Sequence, residues 1–432
     1  MPASGAPRLL ENRSSGPDLP GHLRRHGPLP GLDGPALLDA VERSGLTGRG
    51  GAGFPTGRKL RAVAQAAASG RGAMRRRGAV VVANGCEGEP ASGKDRVLFL
   101  TAPHLVLDGI ALAARAVGAD RAHLCLHEDA AEQIRSVERA LAERRAAGVP
   151  DAGVRIATVP NRYVASEETA LVRLLGGGPA LPQYTPPRPF ERGVGGRPTL
   201  VNNAETFAHL ALIARHGPAW FRSAGTAEAP GTALVTIGGA VAAPGVYEVP
   251  LGVDGAQLFA AAGGPSAPLQ AVLAGGYFGA WLPADAFRRT RITGPDLERA
   301  GAAMGAGIFL ALPADRCGLA ETAGIARYLA EQSANQCGPC LNGLPALASG
   351  LETLAAGTDR RAAKYIKQLS PYVDGRGACR HPDGAVRLIA SALAVFSGDA
   401  AAHAAGRPCA GARRRPLFPI PARAAELAGR SR

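Results

Sequence analysis

Over residues 33–216, short apolar runs alternate with longer helical ones, and this alternation constrains the chain more than any other feature. Asp33 can cap a helix whose first turn suits Pro35, so a helix is expected at 36–44. Strands follow at 78–83 (GAVVVA), 122–126 and 154–159, with helices at 104–117, 128–147, 167–175 and 204–216 between and after them. Such an order predicts an α/β domain with parallel strands and helices packed on its faces. Residues 176–198 are too dense in Gly and Pro for regular structure and read as a functional surface loop. From Gly231 the pattern changes: TALVTIGG and GVYEVPLG are short strands around a Pro244-Gly245 turn, with a small helix at 255–262. A strand is expected at 307–312 and helices at 319–332, 343–354, 358–369 and 383–396. The predicted organisation is a flexible tail at 1–32, an α/β domain at 33–228, a small α+β unit at 229–290, a helical bundle at 315–400 and a basic tail at 401–432.

Composition narrows the function. The chain has 432 residues, 46% hydrophobic and 19% charged, with Gly 58 and Pro 35, so neither a disordered nor a collagenous protein fits. Its charge of +14 is carried almost wholly by dispersed Arg, since Lys stands only at 59, 94, 364 and 367. With 5% aromatic residues there is no stacking platform, and no nucleic-acid partner is expected. An acidic protein partner fits the charge. The best apolar run, 388–396, is too short to span a bilayer. Without an apolar segment near the N-terminus, the expectation is a cytoplasmic protein, or one peripheral on the inner face of a membrane. Seven cysteines make no disulfide scaffold, so clustered ones invite a metal or redox reading.

Four islands of chemistry sit at strand ends or loop ends. Gly48-Arg49-Gly50-Gly51-Ala52-Gly53-Phe54-Pro55-Thr56-Gly57, followed by Arg58-Lys59, can bring backbone N–H groups and a cation to a phosphate. It lacks the Lys-Ser/Thr of an ATP-binding loop and equally describes a plain turn. Asn84-Gly85-Cys86-Glu87-Gly88-Glu89-Pro90 follows a strand, where open α/β sheets hold ligands, or is an acidic turn. Arg162 to Thr169 opens a helix with Glu167-Glu168, and Asn202-Asn203 suits a heterocycle or a helix cap.

Taken in order, GRGGAGFPTGRK, NGCEGEP..GKDR, RYVASEETALVRLL and RPTLVNNAET resemble the family of flavin-binding, NADH-oxidising (51 kDa-type) subunits of respiratory complex I and its relatives in hydrogenases and formate dehydrogenases. The resemblance covers residues 40–400. It implies a Rossmann-like α/β domain holding FMN, a soluble-ligand-binding β-grasp (ubiquitin-like) unit and a C-terminal helical bundle with a [4Fe–4S] cluster. By motif, Gly48, Arg49, Gly50, Gly51 and Lys59 would contact the FMN phosphate and ribityl region. Asn84, Tyr163, Glu167, Asn202 and Asn203 would line the flavin, and Phe54, Glu89 and Glu168 would receive NAD(H). The implied activity is that of an FMN-dependent oxidoreductase between NAD(P)H and a ferredoxin-like or other iron–sulfur protein, within a membrane complex.

The sequence also departs from the family. Cys86 replaces Asp, Ser166 replaces Gly, the second stacking Phe is Ala62, and Lys-Pro-Pro-Phe becomes Thr185-Pro186-Pro187-Arg188. Loss of a stacked ring removes about 1 kcal/mol. In the cluster motif Ala334 stands in the first ligand position, leaving Cys337, Cys340 and Cys379. These thiolates suit a [4Fe–4S] cluster completed by another donor, a [3Fe–4S] cluster, a zinc site with His381, or no metal. Two further readings of the whole chain are a flavin relay from ferredoxin to a membrane partner without NADH, and a flavin-free binding or assembly module.

Overall fold

The computed structural model of the chain describes residues 8–10, 16–69 and 78–421. Strands β1 (Ala79–Asn84), β2 (Ala119–His127), β3 (Arg155–Val159) and β4 (Thr199–Asn203) form a parallel sheet in the order β3-β2-β1-β4. Around it lie helices α1 (Leu19–His26), α2 (Gly34–Ser44), α3 (Thr56–Ser69), α4 (Lys94–Thr101), α5 (Pro103–Val117), α6 (Ala131–Ala146), α7 (Glu168–Leu175) and α8 (Ala204–Arg222). A strand covered on both faces should be apolar throughout, and Ala79 to Ala83 are all buried. Alternate side chains divide between two cores. Val81, Ala83, Leu124 and Leu200 join the large core with α2, α5 and α8, and Val80, Val82, Cys125 and Val201 pack on Leu171 and Val172 of α7.

Register decides where the polar ends fall. Ala83 lies opposite Asn202 and Asn84 opposite Asn203, so the carboxyl ends of β1 and β4 present three asparagines side by side. β4 itself, within what reads as the approach to a helix, is legible only through this pairing.

The second sheet runs β6-β5-β9-β7-β8, with β5 (Thr232–Gly239), β6 (Gly245–Pro250), β7 (Leu269–Ala274), β8 (Ala280–Pro283) and β9 (Ile308–Pro313). Parallel strands β5 and β9 are flanked by antiparallel β6 and β7, the β-grasp arrangement. Helix α9 (Gly255–Ala261) opens with a capping box of Asp254 and Gln257, and α10 (Ala284–Arg289) and α11 (Gly294–Arg299) follow. The unit therefore extends past the expected limit of 290. β9 is fully buried at its centre, because a strand distant in sequence is needed to bridge β5 and β7. Helices α12 (Gly318–Glu331), α13 (Leu344–Ala356), α14 (Ala362–Leu369), α15 (His381–Val395) and α16 (Ser397–Ala404) enclose a third core.

Two stretches expected as tails are ordered in part. α1 is capped by Asp18, and His22 Nε2 lies 2.8 Å from the Asp108 carboxylate, which also meets Arg144 at 2.8 Å and Arg215. At the other end, residues 405–421 return across the bundle, with Phe418 stacked on Trp281. Both are anchored by partners remote in sequence, which local composition does not reveal. Residues 1–7, 11–15 and 422–432 of the expected tails lie outside the described residues. Among the described residues no single helix is long and apolar enough to cross a membrane.

Helices α5 and α8 cross almost backbone to backbone. A Cβ at Gly109 would stand 1.9 Å from the Phe207 carbonyl oxygen. Gly109→Ala should thus force the helices apart and lower stability by about 3 kcal/mol in chemical denaturation. Gly294→Ala, with nothing within 4 Å of its added carbon, should change it by less than about 0.5 kcal/mol.

Candidate functional site

The glycine loop is closed at its base and open at its tip. Gly48 N donates to Phe54 O at 2.9 Å and Thr56 N to Leu46 O at 2.9 Å, holding the two arms together. Arg49 N donates to Thr206 Oγ1 at 2.9 Å, fixing the loop to the first turn of α8. Gly51 and Gly53 have φ of 109° and 62°, values that favour glycine. Among the described residues, the amides of Gly50, Gly51, Ala52 and Gly53 donate to no protein acceptor. The loop tip therefore offers a set of unpaired N–H groups beside the ends of β1 and β4, with Gly50 against the Asn203 Cβ.

Beneath the loop lies a buried charged node. Lys94 Nζ reaches Glu205 Oε2 at 2.7 Å, Asn203 Oδ1 at 3.0 Å and Asp95 Oδ1 at 3.2 Å. Burial alone would lower the Lys94 pKa, but the carboxylates of Asp95 and Glu205 raise it, so the ammonium stays charged. Burial works against ionised Glu205 too, and Lys94, His209 and Arg49 hold it down at about 2. Asp95 is pushed up to about 6 by burial, partly opposed by Lys94. The other Glu205 oxygen accepts Leu234 N of β5 at 2.8 Å, binding the β-grasp unit to the same point. Arg49 turns its guanidinium to Thr47 and to Thr232 O at 3.0 Å, so its side chain braces the loop from behind.

The three asparagines divide the work. Asn84 Nδ2 donates to Ser166 O at 2.8 Å while its Oδ1 accepts Cys86 N. Asn203 is fully used: Oδ1 takes Lys94 and the Glu205 amide, Nδ2 donates to Asp95 and Asn84 O, and the residue caps α8. Asn202 is buried with Nδ2 lacking any partner among the described residues. A buried donor is seldom left unpaired, and this one is available to an acceptor bound beside β4.

Around this opening the remaining motif residues converge in pairs. Lys59 Nζ meets Glu168 Oε2 at 2.8 Å, joining the glycine-loop helix to the Glu167-Glu168 turn. Glu167 caps α7 through the amides of Thr169 and Ala170. Glu89 accepts the Tyr163 hydroxyl at 2.5 Å and Tyr277 N at 3.0 Å, linking the sheet end to the β7–β8 turn. Ser166 fills the space beside Gly88, where a Cβ would come 2.5 Å from Ser166 Oγ. Phe54 is exposed at the loop tip. A cleft of about 620 Å³ lined by Arg173, Tyr184, Arg192 and Gln336 holds none of the candidate flavin, nicotinamide or metal residues.

Direct hydrogen bonds connect this region to the cysteine turn. Tyr163 N donates to Gln332 Oε1 at 3.0 Å, Arg162 to Ser333 O at 3.0 Å and Arg173 to Gln336 Oε1 at 3.1 Å. Cys340 is buried, Cys337 and Cys379 are partly buried, and all three are free thiols. Burial, then neighbouring Cys337 and Cys379, push the Cys340 thiol up to about 12. His381 donates Nε2–H to Leu329 O at 2.7 Å, and its ring packs edge-on against Tyr163 and Phe278. Ala334 is buried and offers no ligand. The donor set fits an iron–sulfur centre bound by three thiolates.

Lys94, Asp95 and Glu205 lie inside the quoted motifs but receive no role from them, and Tyr277 lies outside all four. The charge of the first three is visible in the sequence, Lys94 and Asp95 at the start of α4 and Glu205 two residues after β4, but burial is what gives it meaning.

The fold and this opening define a flavoprotein of the NADH-dehydrogenase type with an iron–sulfur bundle. Residues 41–212 match the Nuo51 FMN-binding domain and residues 320–403 the NADH-ubiquinone oxidoreductase-F iron–sulfur binding region. The NADH-quinone oxidoreductase F 2 subunit of Rhizobium meliloti (strain 1021) is 31% identical over 386 residues, covering 86% of this chain and 90% of its own. The F subunit of the Streptomyces coelicolor enzyme is 32% identical, covering 86% and 84%. In crystal structures of NAD+-reducing [NiFe]-hydrogenase, the air-oxidised state superposes with TM-score 0.81 at 31% identity, covering 99% of this chain and 70% of that one. The H2-reduced state gives 0.78 at 32%, covering 92% and 66%. The chain belongs to the family of NADH-quinone oxidoreductase F subunits, the 51 kDa-type flavoproteins of complex I.

Glu89 supplies a pH test. Burial raises its carboxyl to about 7, against the pull of Tyr163 and the Tyr277 and Phe278 amides. A carboxyl raised on folding contributes stability that is full below its unfolded value near 4.5 and lost as pH rises through 7. In flavin-free protein, wild type should therefore lose about 2 kcal/mol relative to Glu89→Gln between pH 5 and 8, read by urea denaturation. Parallel pH profiles would contradict the assignment.

Proposed function

We propose that the chain is the electron-input module of a multi-subunit oxidoreductase, taking reducing equivalents from NAD(P)H at FMN and passing them to an iron–sulfur partner. The observation carrying this reading is the buried, unpartnered Asn202 amide beside the unpaired amides of Gly50 to Gly53. FMN supplies the conversion between two-electron and one-electron chemistry when bound. The chain supplies position and charge. Loop amides and Lys59 face the phosphate side, Asn202 and Asn84 the ring side, and Glu168 balances Lys59. Glu89 and Tyr163 close the side toward the β7–β8 turn. Hydrogen bonds from Arg162 and Tyr163 keep the cysteine turn against the flavin segment, so electrons need not cross a flexible joint. Cys337, Cys340 and Cys379 would hold the cluster. A net charge of +14 favours an acidic, ferredoxin-like acceptor.

A flavin relay without NADH rests on Ala62 and Arg188, where the adenine-stacking rings of the family are missing. Anaerobic NADH titration decides: bleaching of the flavin band supports the dehydrogenase, and an unchanged spectrum that a ferredoxin can bleach supports the relay. If NADH binds, Ala62→Phe should lower KM by about five- to tenfold with kcat little changed, since a stacked ring contributes about 1 kcal/mol.

A further inference from the structure

Cys317, at the N-terminal end of α12, belongs to a ligand group that the flavin and cluster chemistry does not use. The 14 residues of α12 separate it from the cysteine turn by about 20 Å. One ligand atom each from Cys317, His403 and Cys409 lies within 4.8 Å of the other two. His403 is fully buried in the last turn of α16, Cys317 is buried and Cys409 half-buried. His403 Nε2 accepts the Cys409 amide at 3.0 Å, so the lone pair open to a cation is on that nitrogen and binding would exchange the amide for the ion. Its Nδ1 has no partner among the described residues. A fully buried imidazole with one ligand atom within 4.8 Å of two thiol sulfurs gives a cation three donors in one place.

We propose that Cys317, His403 and Cys409 form a structural zinc(II) site that clasps the C-terminal segment to the bundle. Two thiolates and an imidazole are ligands that zinc takes tetrahedrally, with Zn–S about 2.3 Å and Zn–N about 2.0 Å. The group needs to close by only about 1 Å to reach those lengths. The half-buried side at Cys409 leaves the fourth position to water. Binding releases the two thiol protons to solvent, with no change of oxidation state. The ion joins three segments, and beyond Cys409 the chain already follows a defined course. Arg316 donates to Arg415 O at 2.7 Å, Leu417 N to Glu321 at 2.8 Å and Tyr277 to Pro419 O at 2.5 Å. Zinc would secure this strap where it leaves α16.

The test is metal content of the full-length flavin-loaded protein, grown with zinc and iron and dialysed against a weak chelator. About one zinc per chain is expected in wild type and in Cys340→Ser, which should lose iron instead. Cys317→Ser and His403→Gln should lose the zinc, keep iron and flavin, and be cut by trypsin after Arg413 and Arg414 about tenfold faster. Should those variants fail to fold, cobalt(II) added to wild type must give the d–d and thiolate charge-transfer bands of a tetrahedral Cys2His site. Zinc absent from wild type, zinc retained in Cys317→Ser, a Cys317–Cys409 disulfide by mass spectrometry, or no such cobalt spectrum would each overturn the proposal.

Discussion

The buried Lys94 ammonium is the point on which the rest depends. It joins the segment after β1 to the end of β4 and the first turn of α8, and through Glu205 it reaches β5 and the base of the glycine loop. Buried ion pairs add little net stability compared with apolar packing, but removing one partner strands a charge and costs about 3–5 kcal/mol. The node therefore acts mainly to specify one arrangement. With Asn203 consumed by it, Asn202 is left as the free amide, and with Arg49 braced behind the loop, the tip amides are left exposed. In the flavin site proposed above, the groups left for the ligand are those that the protein does not itself use.

Much of this is legible in the residues. The apolar runs of β1 and β2 mark a buried parallel sheet because both faces are covered, and three of the four motifs converge because they follow parallel strands that end on the same side, with the glycine loop tied beside them to α8. What stays hidden is set by distance and by period. Order along the chain puts β9 outside the β-grasp unit, and only the folded sheet shows it between β5 and β7. Helix α1 has the composition of a tail because its anchor, Asp108, is 86 positions away. Neighbouring Asn202 and Asn203 cannot be told apart by composition, since successive strand residues point to opposite faces. One caps a helix and the other keeps an unpaired amide. Arg49 in a glycine loop suggests a phosphate contact, whereas its guanidinium is drawn to Thr232 O and Glu205.

The departures from the family fall unevenly across the molecule. Ser166 and Gly88 occupy complementary space, so the turn keeps its shape. Ala334 has no such compensation: the turn keeps Cys337 and Cys340, with Cys379 further along the chain, and His381 donates to Leu329 O. The hydrogen-bonded contact between the 162–173 segment and the 332–336 segment is nonetheless intact. The motif residues around the opening and their link to the cysteine turn are thus kept more fully than the family's cluster ligand set or its adenine-stacking ring.

The decisive quantity is the FMN affinity of Lys94→Met, compared with wild type by quenching of flavin fluorescence. With the node broken and circular dichroism showing the sheet retained, affinity should fall by about 100-fold or more, the equivalent of about 3 kcal/mol. Affinity within a factor of about three of wild type would show that the loop and asparagines are positioned without the buried ammonium, and would remove it from the centre of the site.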